Sequence, residues 1–322
     1  MAVYTEVAFD EAASLMAGVG LGPLLTLAPC AGGIENTNYF ADTASGRYVL
    51  TLFERLSVNE LPFYLALMKH HADRGLPVPM PHGDVNGSLL LFLKDKPAAI
   101  VDRLPGEHHL APDALDCAAV GKVLARMHVA VRDFAPAQPN LRGLAWWNET
   151  VPVVVPHLDR DRAALMTDEL AYQQHLASSS AYAMLPRGAI HGDLFRDNVM
   201  FVERTLAGVF DFYFAGVDCM LLDIAIALND WCVDLVSGRL DEDRANAFVT
   251  AYAAERPLEH AELRLLPAMM RAAAFRFWLS RVWDLHLPRD AFVLTAHDPG
   301  HFERVLVQRR EAPWHPSLQQ PS

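Results

Sequence analysis

Cysteine is scarce in this chain and never clustered: Cys30, Cys117, Cys219 and Cys232 lie far apart, with no C-x-x-C spacing. That excludes a zinc ribbon and a disulfide framework, and it fits a reducing compartment. Positive charge is also in deficit. The formal net charge is −12, which argues against a nucleic-acid or anionic-membrane partner, because phosphate surfaces attract basic patches. Any phosphate must therefore be met locally, by backbone amides, a metal or a few arginines. Long apolar runs are missing: the most apolar stretch, Met220 to Val236, is interrupted by Asp223, Asp230 and Asp234 and reads as a buried helix. The first residues lack the basic segment and apolar run of a secretory signal, so a cytoplasmic location is expected. Repeats, charge blocks and low-complexity tracts are absent as well.

What is present is an ordinary globular balance, 52% hydrophobic and 20% charged over 322 residues, a length comfortable for two domains. Phe9 to Val19 has amphipathic helical spacing and ends at Gly20 and Gly22, before a strand from Leu24 to Leu27. The small-residue turn from Ala31 to Thr37, carrying Gly32 and Gly33, opens onto an alternating strand. Arg47 to Phe53 returns as its partner across Ala44-Ser45-Gly46. No Gly-Lys-Ser/Thr ends that turn, so it is not a Walker A loop, although its glycines would let backbone N–H groups approach phosphate oxygens. Glu60 to Arg74 predicts a helix. Gly83–Val85 and Leu89–Leu93, flanking Asn86-Gly87, are candidate strands, with a third from Ala99 to Leu104. The boundary falls at Leu104-Pro105-Gly106, giving lobes 1–104 and 105–322. Beyond it, Leu115, Val120, Leu124, Met127 and Val131 mark a long helix on which His128 reads as a hydrogen-bonded structural residue. Phe134 to Pro156, rich in proline and asparagine, reads as an ordered loop. Met166–Ala183, Glu242–Glu255, Glu259–Asp284 and Asp298–Arg310 read as helices.

The chemistry concentrates in Ala189-Ile190-His191-Gly192-Asp193-Leu194-Phe195-Arg196-Asp197-Asn198, followed by Val209-Phe210-Asp211-Phe212. A carboxylate (Asp193), a carboxamide five residues on (Asn198) and a second carboxylate (Asp211) form the order H-x-D-x-x-x-x-N then D-F. That pattern suits metal-assisted phosphoryl transfer, in which one carboxylate takes or orients a hydroxyl proton while the amide and second carboxylate hold magnesium against nucleotide phosphates. The competing plain reading makes Asn198 and Asp211 turn formers.

With its strand-rich first third and helical remainder, the chain resembles the protein-kinase-like superfamily, and more narrowly its aminoglycoside phosphotransferase and choline kinase branch. His191-Gly192-Asp193 has that branch's glycine where protein kinases carry arginine, and Leu124 to His128 is similar to its L-A-x-L-H helix. Gly32 to Phe40, Arg47 to Glu54, Lys96 to Val101, Asn229 to Cys232 and Arg276 to Arg281 together resemble the homoserine kinases of this fold. The resemblance implies an α+β bilobal fold, with an antiparallel-sheet N-terminal lobe and a mainly helical C-terminal lobe. It also implies ATP and Mg2+ as cofactors, and phosphorylation of a small amino alcohol, L-homoserine, to O-phospho-L-homoserine on the way to threonine. Carried onto this chain, Asp193 is the base or hydroxyl-orienting group, with Asn198 and Asp211 the magnesium ligands. Gly32, Gly33, Asn36 and Asn38 then belong to the turn over the phosphates. The linker with Val101 and Arg103 meets adenine through its backbone.

One departure stands out. Thr51 occupies the third-strand position where protein kinases have lysine, and Arg47 and Arg55, each four residues away, are roughly 13 Å off along an extended strand. Glu60, the candidate partner of such a lysine, reads equally as a helix N-terminal carboxylate. For the substrate, Asp230 beside Trp231 would hold an ammonium, with Asp234 expected on the same helix face. Arg276 or Arg281, flanking Trp278, would grip a carboxylate. Internal ion pairing between the two helices is the alternative. Asp223 reads as a brace for the loop. Choline, aminoglycosides or sugars are the alternative substrates, and a nucleotide-binding scaffold is the alternative to an enzyme.

Overall fold

The computed structural model describes residues 5–30, 36–287 and 298–317. Its first part is an antiparallel sheet built from β1 (Leu24–Pro29), β2 (Thr37–Thr43), β3 (Arg47–Leu52), β4 (Pro81–His82), β5 (Leu91–Leu93) and β6 (Lys96–Asp102), in the order β1-β2-β3-β6-β4 with β5 also paired to β6. Alternation along the strands splits the sheet's side chains between two faces. Tyr48, Leu50, Leu52, Ala98 and Ile100 pack with Met16 and Ala12 beneath α1 (Phe9–Gly18). Phe53, Ala99 and Val101 face the other way and join the main core through α2 (Leu61–Ala72), whose Phe63, Tyr64, Leu67 and Met68 are buried.

The second part is mostly helical, as expected: α3 (Ala114–Ala130), α4 (Leu144–Val154), α5 (Arg160–Ala177), α6 (Ser180–Ala183), α7 (Met220–Trp231), α8 (Glu242–Glu255), α9 (His260–His286) and α10 (Gly300–Glu311). Between α6 and α7 lie two small two-stranded sheets. β7 (Arg187–Ile190) pairs with β10 (Gly216–Cys219), and β8 (Val199–Val202) pairs with β9 (Thr205–Val209). Every residue of α7 is buried, so it is the axis around which this half packs, and α9 lies alongside it. No helix among the described residues is long and apolar enough to cross a membrane.

Three expectations need correction. The region 134–156 is not all loop, because α4 occupies Leu144–Val154 with Pro152 inside it. Trp147, Val151 and Val154 are buried at i, i+4 and i+7, and Trp147 packs on Phe275 at 5.5 Å. This burial outweighs the one helical hydrogen bond that proline forfeits. Met166–Ala183 is interrupted at Ser178 and Ser179, where the Ser179 hydroxyl accepts the Tyr182 amide and starts α6. Gly83–Val85 forms no strand: the Asp84 carboxylate accepts the amides of Asn86 and Ser88 and folds the segment into a turn.

The link between the two parts is tight. Glu107 exchanges backbone hydrogen bonds with Phe201 of β8, and Gly106, at φ +100°, leaves no room for a side chain, since a Cβ there would lie 2.1 Å from the Phe201 carbonyl oxygen. Gly106→Ala is expected to lower unfolding stability by about 2–3 kcal/mol through left-handed strain and that clash. A urea midpoint equal to that of the parent chain would show the linker relaxing freely, against this account.

Candidate active site

β7 delivers the chain to His191 and Gly192, whose backbone amides both donate to the Asp223 carboxylate at 2.8 Å. Asp223 lies in the first turn of α7, fully buried, and also accepts from His128 Nε2 at 3.1 Å. Burial works to raise its pKa, but the hydrogen bond and charge of His128, together with the hydrogen bond from the Gly192 amide, outweigh it and hold Asp223 below the usual carboxylate range. The chain of contacts continues outward. The Tyr252 hydroxyl meets His128 Nδ1 at 2.7 Å and accepts from Arg256, which pairs with Glu262 at 3.0 Å. Tyr252, Arg256 and Glu262 carry no spacing signal that would have tied them to residue 191.

Gly192 sits at φ +76°, and a Cβ there would come 2.6 Å from the Phe214 carbonyl oxygen, which explains why no side chain occupies the middle of the triplet. His191 Nε2 donates to the Phe210 carbonyl at 2.9 Å, so Nδ1 is left to accept the Asp193 amide at 3.2 Å. Burial lowers the His191 pKa, in keeping with that neutral tautomer. Arg196 was missed in the sequence. Its backbone and Nε bond the Asp230 carboxylate at 2.8 and 3.1 Å, Nη1 donates to the Leu110 carbonyl, and Nη2 donates to the Asp230 carbonyl. The loop is thereby riveted to the end of α7.

These contacts set the three candidate residues side by side. Asn198 Nδ2 donates to the Asp193 carbonyl at 2.8 Å and to its carboxylate at 3.2 Å, which leaves the Asn198 amide oxygen for a ligand. The Phe210 amide donates to the Asn198 carbonyl at 3.1 Å, and Asp211 follows in a left-handed turn at φ +63°. The Asp193 side chain keeps 16% exposure. Burial pushes its pKa up to about 7, with Asp211 and Asp197 adding to the rise and Arg276 opposing it. An amide oxygen beside a group of carboxylates is a hard donor set of the kind magnesium takes. Among the described residues, no group of three or more His, Cys, Asp or Glu side chains could hold a metal unaided.

The substrate candidates divide. Asp230 is committed to Arg196, and Trp231 and Trp278 are fully buried, Trp231 donating to the Leu194 carbonyl at 3.0 Å. These three brace the loop and core. Asp234 is not on the Asp230 face, because α7 ends at Trp231 and Asp234 caps a turn through Ser237. Arg276 and Arg281 remain. Arg276 Nη1 stands 4.0 Å from Asp193 Oδ1, and its guanidinium lies 4.0 Å over the Phe277 ring. Arg281 lies 4.5 Å over Phe302. Phe195, from the Asp193 loop, packs tilted on Phe277 at 4.5 Å and stacks on Phe302 at 5.8 Å.

In the first lobe, Gly32 and Gly33 lie outside the described residues, and Asn36 is the first residue described after them. Thr51 and Asn38 are cross-strand partners, and the Thr51 hydroxyl donates to the Asn38 amide oxygen at 2.7 Å. Lys96 pairs with Glu54 on the face of β6 shared with Ala98 and Ile100, the opposite face from Thr51. Glu60 accepts from the Ser57 amide and hydroxyl, and among the described residues no basic side chain pairs with it. In the linker, the Asp102 and Arg103 amides donate to Met80 and Arg47, and the Arg103 guanidinium covers Phe40 at 3.8 Å. Arg103's amide is thus committed within the sheet, and Val101, nearly buried, contributes to the core.

The phosphotransferase enzyme family matches residues 26–265 of the chain. The homoserine kinase of Polaromonas naphthalenivorans is 62% identical over 98% of this chain and 99% of its own length. That of Janthinobacterium sp. is 51% identical over 97% of each. Among solved structures, the amicoumacin kinase hAmiN in complex with AMP-PNP, Ca2+ and Ami superposes with a TM-score of 0.69 at 17% identity, over 94% of this chain and 93% of that one. The spectinomycin phosphotransferase APH(9)-Ia in complex with ADP and spectinomycin gives 0.66 at 13%, over 94% of both chains.

Proposed function

This chain belongs to the homoserine kinases of the phosphotransferase enzyme family, and on that premise we propose how its residues transfer phosphate from ATP to the side-chain hydroxyl of L-homoserine. Asp193 accepts a hydrogen bond from the hydroxyl and takes its proton as the new O–P bond forms. Asn198 and Asp211 would hold magnesium, which would supply positive charge to neutralise the phosphates. The Leu104 amide, which follows the two committed linker amides, is the donor to adenine.

The observation that carries the substrate reading is the pair of guanidiniums over the Phe195, Phe277 and Phe302 cluster beside Asp193. A quaternary ammonium needs open aromatic faces, and here arginines already lie over Phe277 and Phe302. An anionic group is what a guanidinium here recruits, and Arg281, over Phe302, is the one placed for the substrate carboxylate. Asp197, exposed on the same loop, is the counterpart for the substrate ammonium. ADP release measured across homoserine, choline and a kanamycin-type amine should show homoserine favoured by at least about 100-fold in kcat/KM, the scale of losing one charged contact. Preference for choline or the polyamine would overturn the substrate assignment. ATP binding without transfer to any of them would favour a scaffold.

A further inference from the structure

Arg276 is 3% exposed, and its Nη1 is buried without a hydrogen-bond partner. At 4.0 Å from Asp193 Oδ1 it is beyond hydrogen-bonding reach, so the nearest carboxylate does not satisfy it. A buried guanidinium left short of an acceptor is costly, and a site that keeps one is built to receive an anion. Two anions come to this place under the reading above, the substrate carboxylate and the phosphoryl group in flight.

We infer that Arg276 is a catalytic residue that contacts the transferring phosphoryl group and supplies the cation that Thr51 cannot. The chain's lysines, Lys69, Lys94, Lys96 and Lys122, pair with Asp73, Glu11, Glu54 and Glu255, and none of them reaches Asp193. The hydroxyl held by Asp193 is the atom to which phosphorus bonds, so an anion bridging Asp193 and Arg276 is the one attached to that oxygen. The carboxyl carbon of extended homoserine lies four bonds away, about 5 Å. Arg281, five residues on, is about 7.5 Å further along α9 and stands over Phe302 at the far side of the same aromatic cluster, the better position for the carboxylate. In the step itself, the hydroxyl oxygen bonds to the γ-phosphorus and its proton passes to Asp193. The bond to the β,γ-bridging oxygen breaks, its electron pair leaving with ADP. Arg276 Nη1 donates to a non-bridging oxygen throughout.

This inference rests on the homoserine reading, and the two fail separately. Steady-state turnover of Arg276→Met and Arg281→Met is compared on homoserine and on 3-aminopropan-1-ol, which keeps the hydroxyl and ammonium and lacks the carboxylate. Arg276→Met is expected to lose about 10³-fold in kcat on both alcohols, with the KM for homoserine changed less than about threefold. Arg281→Met should raise the homoserine KM alone. A raised homoserine KM with kcat retained in Arg276→Met, and no loss on aminopropanol, would make Arg276 the carboxylate ligand and overturn the inference. Should the methionine variant fail to fold, Arg276→Lys is read the same way. Recovery of kcat when free guanidinium is added to Arg276→Ala supports direct contact, and absence of recovery with intact ATP binding counts against it. If the parent enzyme ignores homoserine, the substrate reading falls, and Arg276 is judged on whichever alcohol is turned over.

Discussion

Asp193→Asn is expected to lower kcat on homoserine by about 10³–10⁴-fold, at the upper end of what a positioned base contributes, while ATP affinity changes less than about threefold. The substitution isolates the proton acceptor because little else depends on the ionised carboxylate. The stronger Asn198 hydrogen bond goes to the Asp193 backbone carbonyl, and the loop is held by Asp223, Asp230 and Trp231, so Asn198 and Asp211 keep their places. An amide at 193 preserves volume and still meets the hydroxyl, but it cannot take the proton. Turnover by rapid-quench ADP release, set against nucleotide affinity by calorimetry, checks both halves. Retention of more than about a tenth of the parent kcat would move the proton acceptor away from Asp193 and leave the carboxylate an orienting role. Equal losses in turnover and ATP affinity would mean that the loop itself had shifted.

The arrangement of residues 189–212 was legible because its spacing is local. The spacing between Asp193 and Asn198 is fixed by one tight turn, and a hairpin brings Asp211 back beside Asn198. The sheet and most of the helices were legible for the same reason, since period and turn chemistry are short-range signals. What could not be read depends on contacts between distant segments. Asp230, Trp231 and Trp278 look like substrate residues in a list of polar and aromatic side chains, and only the packing of α7 under the loop shows that Arg196 and Leu194 already use the first two. Thr51 looked like a gap in the phosphate clamp. Its pairing with Asn38, and the placing of Lys96 on the opposite face, show that the gap is not filled from within the sheet. The cation nearest the base comes from α9, more than eighty positions later in the chain. α4 was hidden because the region 134–156 around it is rich in proline and asparagine, although the helix's buried positions follow helical spacing.

Asp223→Ala is expected to cost about 3–5 kcal/mol of unfolding free energy, the scale of stripping a buried carboxylate from its partners. Three donors lose their acceptor at once: the amides of His191 and Gly192, which have no water to turn to, and His128 Nε2. Asp223→Asn is the sharper variant. It keeps the volume and one oxygen, but it turns an NH2 toward one of the N–H groups, so at least one backbone donor stays unpaired. The pH dependence separates charge from shape. Because the folded pKa of Asp223 is depressed, its contribution is fully present above the ordinary aspartate value near 4 and is lost as pH falls through the lower folded value. Urea midpoints taken from pH 7 downward should therefore fall less steeply below about pH 4 in Asp223→Asn than in the parent chain. A parallel acid limb would mean that Asp223 is uncharged in the fold, contrary to the three donors that converge on it. Turnover should fall along with stability, because the amides released are those of the two residues immediately before Asp193. If kcat survives in a variant that has lost the full stabilisation, Asp223 supports only the core, and Arg196 with Trp231 suffices to hold the loop in place.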